Sequence, residues 1–171
     1  MTLVVRHLLL ILLLVGCQQF TYTTANGEIY GTSYTYRYVH PEEHELYPLI
    51  PEKIEKELNR IDLIFSTYKE NSEVLNTSIE EMNSWSKDLR YLYDLSLNLS
   101  EKSKNAFDPL QGRVLDFSAV AKGYAVDKVA DIMQENGIND YFIEIGGEIK
   151  ARGLAPVSYT HLRAHETHLN L

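Results

Sequence analysis

The stretch DFSAVAKGYAVD, from Asp116 to Asp127, has the residue types of an anion-binding site. We predict a short strand from Val114 to Phe117 that runs into a helix from Ala119 to Asn136. The free amides and dipole of a helix N-terminus favour an anion such as a diphosphate. Lys122 adds a positive charge in the first turn, and Asp116 could accept hydrogen bonds from a ligand. The alternative is an ordinary strand–helix joint with a solvated lysine and aspartate, because anion binding is only one use of a helix terminus.

The elements before this stretch are predicted from apolar spacing and turn residues. A strand from Glu28 to Val39 is rich in Tyr, Thr, Ile and Val, and Gly31 within it predicts a bulge or a close backbone approach. Pro51 opens a first helix, in which apolar residues recur at helical spacing until near Tyr68. A second helix is predicted from about Lys87 to Lys104.

The elements after it are a helix end and a hairpin. Ser118 can cap the third helix and Gly137 can end it. A buried strand, a glycine turn and a returning strand then form the hairpin: Asp140 to Ile145, Gly146-Gly147, and Glu148 to Arg152. The order strand, helix, helix, strand, helix, hairpin indicates an α+β fold.

The bulk composition excludes several classes of function. The chain has 171 residues, enough for one domain, and 44% of them are hydrophobic, so the chain is not compositionally disordered. The formal net charge of −8 argues against a nucleic-acid partner, because binding to phosphates requires a basic patch. The single cysteine, Cys17, excludes an intrachain disulfide, and no Cys/His spacing matches a structural zinc site.

The N-terminus resembles a bacterial lipoprotein signal. A charged segment containing Arg6 precedes an apolar run from Leu8 to Val15, which is too short to span a bilayer. The sequence LVGC ending at Cys17 resembles a lipobox, in which the signal is cut before an acylated cysteine; a plain signal peptide is the alternative. We expect residues 1–16 to be the signal and residues 17–26 a lipidated tether. The protein would then face the periplasm from the cell envelope, with the outer membrane favoured over the inner.

The DFSAVAKGYAVD stretch resembles the signature of the ApbE family, the FAD:protein FMN transferases. Four other segments resemble parts of that family in the same order: Gly27 to Tyr34, Ile61 to Tyr68 with Ser72-Glu73 beyond it, Ala106 to Pro109, and Phe142 to Ile149. Each segment alone is weak evidence, but five in order make a specific match from about Gly27 to Gly153. The resemblance implies an ApbE-like, T-fold-related fold of layered sheet and helices.

The resemblance also implies roles for individual residues. The positions that would contact FAD are Tyr30, Ala106, Phe107, Asp108, Asp116, Lys122, Gly146 and Gly147, with Glu148 a weaker candidate. Ala119 would offer its backbone carbonyl to Mg²⁺, a hard cation that suits phosphate oxygens. The glycines would let the backbone approach the ligand closely. The tyrosines from Tyr30 to Tyr38 have two interpretations, a flavin stack or ordinary packing along a strand face.

The implied reaction is magnesium-dependent and moves FMN from FAD onto a serine or threonine of a target redox protein, with release of AMP. The metal would neutralise charge that builds on the phosphates. One alternative is an FAD-binding lipoprotein that transfers nothing or is a degenerate remnant. Another is a structural surface lipoprotein that retains only the motifs. Flavin binding separates this last alternative from the others, and FMN transfer separates an enzyme from a binding protein.

Three features depart from the family pattern. Asp108 and Asp116 are closer in sequence than in the family, and the segment from Ser72 to Asn76 is tighter. The chain also ends soon after the Gly146-Gly147 hairpin. We therefore expect residues 27–154 to be a partial domain that lacks the family's catalytic histidine and acidic metal segment, so that this chain alone transfers no FMN.

The tail, residues 155–171, contains His161, His165 and His168, a spacing that a metal site could use. The string SYTHLRAHET within it instead resembles a translated sequencing adapter that recurs at the ends of unrelated proteins. We therefore expect the tail to be an artefact that belongs neither to the fold nor to the site.

Overall fold

The first hairpin begins earlier in the chain than the sequence predicts. The computed structural model describes residues 20–41, 47–110 and 115–153. Strand β1 spans Phe20–Ile29 and pairs antiparallel with strand β2, which spans Thr32–Pro41. The turn between them consists of Tyr30 and Gly31, whose φ angles are 55° and 69°. Two consecutive positive φ angles are what a type I′ turn requires, so the chain reverses direction here.

Two sequence predictions for this region are wrong. The strand from Glu28 to Val39 is two strands, with a chain reversal rather than a bulge at Gly31. Residues 20–26, predicted as part of a polar tether, lie within β1. From residue 21 onwards, β1 alternates between half-buried and exposed positions, and a strand with one solvent face carries enough polar residues to look like a linker. Cys17, the predicted signal peptide and the predicted artefactual tail lie outside the described residues.

The second hairpin is confirmed and completes the sheet. Strand β3 spans Tyr141–Ile145 and strand β4 spans Glu148–Arg152, with Gly146 and Gly147 at φ angles of 55° and 92° between them. Within the described part of the chain, the sheet has four antiparallel strands in the order β1-β2-β3-β4. The central pairing joins β2 to β3 in a register that brings the two turns to the same end of the sheet.

The predicted helices are confirmed, with adjusted ends. Among the described residues the α-helices are α1 (Ile50–Phe65), α2 (Lys87–Lys102) and α3 (Ser118–Glu135). Helix α1 ends before Tyr68 because Ser66 is extended, with a ψ of 125°. The predicted α+β class is therefore confirmed. No helix in residues 20–41, 47–110 or 115–153 is long and apolar enough to cross a membrane.

The start of α3 differs from the prediction, whereas its end agrees. Residues 115–117 form no strand, so the strand predicted from Val114 to Phe117 is wrong; Val114 itself lies outside the described residues. The Phe117 ring is buried and packs edge-on against Phe65 at 5.8 Å instead of facing a neighbouring strand. Ser118 is the first helical residue rather than the cap. Gly137, at a φ of 77°, follows the last turn as predicted.

The hydrophobic core lies between the sheet and the helices α1 and α3. Buried side chains of both layers meet there: Tyr36, Tyr38 and Ile143 from the sheet, Ile54, Leu58 and Ile61 from α1, and Val126, Val129 and Met133 from α3. The rings of Tyr34, Tyr36 and Tyr38 stack along β2, with centroids 6.1 and 6.3 Å apart. Because Tyr36 and Tyr38 are only 3% and 1% exposed, these two rings are core packing rather than a flavin stack.

A polar cluster centred on Asp88 joins the three helices. The Asp88 carboxylate, on α2, accepts hydrogen bonds from the Arg60 guanidinium of α1 and from the Tyr124 hydroxyl of α3. Arg60 also forms an ion pair with Glu57 at 2.7 Å. Burial raises the pKa of Asp88, but the hydrogen bonds from Tyr124 and Arg60 outweigh burial and hold that pKa below its ordinary value of 3.8. The cluster therefore stabilises the fold through an ionised carboxylate.

Replacing Asp88 with Asn tests this cluster. A carboxyl whose pKa is lowered in the folded state stabilises the protein above its unfolded pKa, and this contribution is lost as the pH falls below that value. We expect D88N to lower the free energy of unfolding at pH 7 by about 1–2 kcal/mol and to weaken its dependence on acid. Urea denaturation at neutral and acidic pH measures both effects. D131N, which removes an exposed partner of Lys128, is the matched control and should change little. An acid dependence of D88N equal to that of the wild type would refute the assignment.

Candidate ligand-binding cleft

A cleft of about 540 Å³ lies at the end of the sheet where the two turns meet. Three parts of the chain form its walls: the β1–β2 turn, the end of α1 with the segment that follows it, and the first turn of α3. Pockets for small molecules and cofactors have volumes of roughly 300–1,000 Å³. The cleft is therefore large enough for part of a nucleotide-sized ligand.

The first wall is held to α1 by the Tyr30 side chain. The Tyr30 hydroxyl donates a hydrogen bond of 2.9 Å to the Leu58 carbonyl. Burial, followed by the negative charge of Asp62, raises the pKa of Tyr30 well above its usual range. The hydroxyl therefore stays protonated and remains a donor at any physiological pH, so Tyr30 fixes the position of the turn beside the cleft.

The α3 wall carries a lysine without an acidic partner. The Lys122 ammonium donates a hydrogen bond of 3.3 Å to the Gly146 carbonyl, and it forms no ion pair within the described ranges. Gly146 is itself bound to β2, because its amide donates to the Ser33 carbonyl at 3.0 Å. A cation that faces only a carbonyl keeps most of its capacity to bind an anion. Lys122 is therefore the strongest anion-binding group that the cleft offers.

The N-terminus of α3 offers fewer free amides than the sequence predicts. The Ser118 amide donates to the Asp116 carboxylate at 2.8 Å, and the amides of Val120 and Ala121 donate to the N-cap carbonyl. Within the described chain, the Ala119 amide is the one in this turn without a hydrogen bond. A carboxylate at this position stabilises the helix dipole. Asp116 therefore repels a second anion here, so the anion site that the sequence analysis predicted from the helix N-terminus and Lys122 would depend mainly on Lys122.

The α1 wall contains a buried charge that the sequence analysis missed. Asp62 is buried, and its carboxylate forms an ion pair of 2.5 Å with Lys69. Tyr68, next to that lysine, lines the cleft and is 91% exposed. These residues lie in or beside the Ile61-to-Tyr68 segment that resembles the ApbE family, but the resemblance gave no role to any of them. The sequence therefore indicated this segment as a whole but not the individual residues that line the cleft.

Some of the predicted FAD contacts lie at the cleft and others do not. Tyr30 and Lys122 line it, and Gly146 lies at its edge beside Lys122. Gly147 is exposed, and its amide donates to the Glu144 carboxylate at 2.6 Å. Asp116, just before α3, does not line the cleft, and neither do Ala106, Phe107 and Asp108. The last three lie in the loop that follows α2, outside the three walls.

Asp108 and Asp116 lie near each other in spite of the short segment that connects them. The Asp116 amide donates to the Pro109 carbonyl at 3.0 Å, so the loop after α2 returns to the start of α3. The Asp108 carboxylate accepts a hydrogen bond from the Leu110 amide at 2.8 Å. The two aspartates are thus held near each other by local hydrogen bonds, in spite of the short segment between them.

The described residues contain no cluster of three His, Cys, Asp or Glu side chains that could share a metal ion. Ala119, the predicted carbonyl ligand of magnesium, lies exposed in the first turn of α3. Mg²⁺ is commonly bound through one or two carboxylates together with the phosphates of a substrate. The Asp116 carboxylate, two residues before the cleft-lining Ser118, is an oxygen ligand of the kind that a metal brought by a phosphate ligand would use.

The sequence model of the ApbE family matches residues 30–115 and 110–161 of the chain. Among curated relatives, the chain is 55% identical over 40 residues to an FAD:protein FMN transferase of Vibrio cholerae, a match covering 23% of this chain and 12% of the relative. It is 34% identical over 59 residues to an FAD:protein FMN transferase of Haemophilus influenzae, covering 34% of this chain and 17% of the relative. These matches therefore span less than a fifth of each relative.

Solved structures with this fold include the flavin transferase ApbE from Vibrio cholerae, with a TM-score of 0.72 and 22% identity over 80% of this chain and 61% of that one. The apo form of the Pseudomonas stutzeri flavinyl transferase ApbE matches with a TM-score of 0.67 and 24% identity, over 81% and 63% of the two chains. The predicted ApbE-like fold is confirmed. The chain spans about three fifths of the length of these structures.

Substituting alanine at Gly146 tests the contact between the second turn and the cleft. A Cβ at Gly146 would lie 2.7 Å from Thr32 Cγ2 and 3.1 Å from Lys122 Cδ, whereas one at Gly137 would meet nothing within 4 Å. Both glycines have positive φ, so Gly137→Ala controls for backbone strain alone. We expect Gly146→Ala to lower the free energy of unfolding by about 1–2 kcal/mol more than Gly137→Ala, because of overpacking. Equal losses in thermal denaturation would contradict the close approach.

Proposed function

This chain belongs to the ApbE family, and we propose that it binds FAD in the cleft as part of an FAD:protein FMN transferase. The enzyme would move FMN onto a serine or threonine of a redox protein. The observation that carries the proposal is that Lys122, a cleft-lining lysine without an ion pair in the described chain, shares the cleft with the exposed Tyr68 ring. The lysine ammonium suits a diphosphate, and the tyrosine ring suits a planar ring system.

The diphosphate would be bound mainly by Lys122. Because the Asp116 carboxylate already accepts a hydrogen bond at the N-terminus of α3, an anionic ligand there is repelled by that carboxylate. A divalent cation between the two anions would remove this repulsion, which supports the proposed dependence on Mg²⁺. Ala119 would offer its carbonyl to the ion, with Asp116 beside it. The bound metal would supply electrostatic stabilisation of charge on the phosphates.

The flavin ring would lie toward Tyr68, and the turn held by Tyr30 would form the opposite side of the cleft. In the proposed reaction, the hydroxyl oxygen of the acceptor protein bonds to the FMN-side phosphorus of FAD. The bond between that phosphorus and the bridging oxygen breaks, AMP leaves with the electron pair, and the hydroxyl proton passes to water. What the described residues contribute is binding and orientation, which account for a large part of phosphoryl-transfer catalysis. We assign no catalytic base.

Replacing Lys122 with Met tests the proposed FAD site. We expect K122M to weaken FAD binding by about tenfold or more, because a hydrogen bond to a charged group contributes about 1.5–3 kcal/mol. Flavin fluorescence and calorimetry, with and without Mg²⁺, measure the affinity. K128M, on the same helix but outside the cleft, is the control and should bind as the wild type does.

Each outcome of this titration has a definite meaning. No FAD binding by the wild-type chain, with or without Mg²⁺, would refute the proposed function. Binding that K122M does not weaken would refute the assigned site. Binding without covalent flavin on an added acceptor protein, examined after denaturation, is the result expected of a partial domain, whereas covalent flavin would refute the expectation that this chain alone transfers no FMN.

We also propose that the protein is lipid-anchored at Cys17 in the bacterial cell envelope. The support is the LVGC sequence at the end of a short apolar segment. We expect Cys17→Ser to abolish incorporation of a labelled fatty acid and to move the protein out of the membrane fraction, whereas Gln19→Ser should change neither. Fatty-acid labelling and fractionation in a bacterial host measure this, and labelled C17S protein would disprove the anchor.

A further inference from the structure

The Tyr68 ring has little to hold it in place. It is the most exposed large hydrophobic side chain in the described chain, at 91%, and it lines the cleft. An exposed ring attracts a planar ligand by apolar contact and offset stacking. Ordering a mobile group on binding costs affinity, however, so the stacking energy depends on how well the ring's backbone is held beforehand.

The backbone around Tyr68 is held by a set of local hydrogen bonds. The Ser66 hydroxyl accepts from the Tyr68 and Lys69 amides at 3.3 and 3.2 Å. The Ser66 amide donates to the Asp62 carbonyl at 3.0 Å. Farther along, the Ser72 hydroxyl donates to the Ser66 carbonyl at 2.6 Å. The segment is therefore a closed turn rather than a loose loop.

An ion pair joins this turn to α1. The Lys69 ammonium pairs with the Asp62 carboxylate at 2.5 Å, where the Asp62 side chain is 8% exposed and the Lys69 side chain 45%. Removing one partner of a buried pair leaves an uncompensated charge, which is strongly unfavourable. Lys69 is thus retained on Asp62 and is not free to leave for a phosphate. Its attachment fixes the residue directly after Tyr68.

We propose that Lys69, held by Asp62, is a positioning residue that orients Tyr68 for stacking on the flavin ring. The inference rests on the proposed function, because it concerns the same cleft. It assigns the pair a role in recognising the planar ring and none in binding the diphosphate. The competing role, direct contact of Lys69 with the phosphates, predicts different results in the experiment below.

The experiment compares FAD with ADP, which has the diphosphate but no flavin ring. In the full chain, we expect K69M to weaken FAD binding by about five- to tenfold, the range of an aromatic stacking contribution, and to leave ADP binding unchanged. K69R, which keeps the ion pair, should bind both ligands within about twofold of the wild type.

A double-mutant cycle then asks whether Lys69 acts through Tyr68. If it does, Y68A and Y68A/K69M should bind FAD equally, because the ring that Lys69 positions is already absent. K150M is the matched control, since Lys150 forms a pair of 2.7 Å with Asp127 on the surface, outside the cleft. It should change neither affinity.

A second variant distinguishes an effect of K69M on FAD binding from an effect on folding. D62L/K69M removes both charges and leaves no buried carboxylate unpaired, so it should fold even if K69M does not. We expect D62L/K69M to unfold at the same denaturant midpoint as the wild type and to lose affinity for FAD but not for ADP, as K69M does.

Three results would overturn the inference. One is an equal loss of FAD and ADP affinity in K69M or D62L/K69M, which would assign Lys69 to the phosphates. Another is an additive effect of K69M in the Y68A background. The third is unchanged FAD affinity in D62L/K69M. Absence of FAD binding by the wild type would instead refute the proposed function, and the inference with it.

Discussion

The pairing of β2 with β3 is the contact on which the rest of the structure depends. It joins strands that lie far apart in the sequence, and α1, α2 and α3 all lie in the chain between them. The register places the Gly146 amide on the Ser33 carbonyl, so the two turns lie side by side. Lys122 can reach the Gly146 carbonyl only because of this arrangement. Without the pairing, the first and third walls of the cleft would not meet.

Local patterns in the sequence predicted the elements, whereas non-local contacts determined where the site lies. Gly146-Gly147 is a strong turn signal, and the second hairpin was predicted correctly. Tyr30-Gly31 adopts the same kind of turn without Asn or Asp at its first position, so the first hairpin was missed. The pairing of Asp62 with Lys69 follows from where α1 ends, which apolar spacing fixes only to within a few residues.

The charges of the cleft differ from those that the sequence motif predicted. The motif led to a helix N-terminus that would bind an anion, and the helix is present. Asp116 nevertheless occupies the first amide, which moves the attraction for an anion from the backbone to Lys122. In a chain of net charge −8, Lys122 is a cation that lines the cleft and has no carboxylate partner in the described structure. An anionic ligand that enters the cleft therefore meets a positive charge that no carboxylate of the described chain neutralises.

The left-handed backbone of Tyr30 has a consequence for how this turn can change over time. A non-glycine residue at a φ of 55° is strained by about 1–2 kcal/mol, and the hydrogen bond from its hydroxyl to Leu58 offsets part of that strain. Glycine or asparagine would suit the backbone better but would leave the cleft without the ring. Either substitution here therefore exchanges relief of backbone strain for loss of the hydrogen bond that attaches the turn to α1.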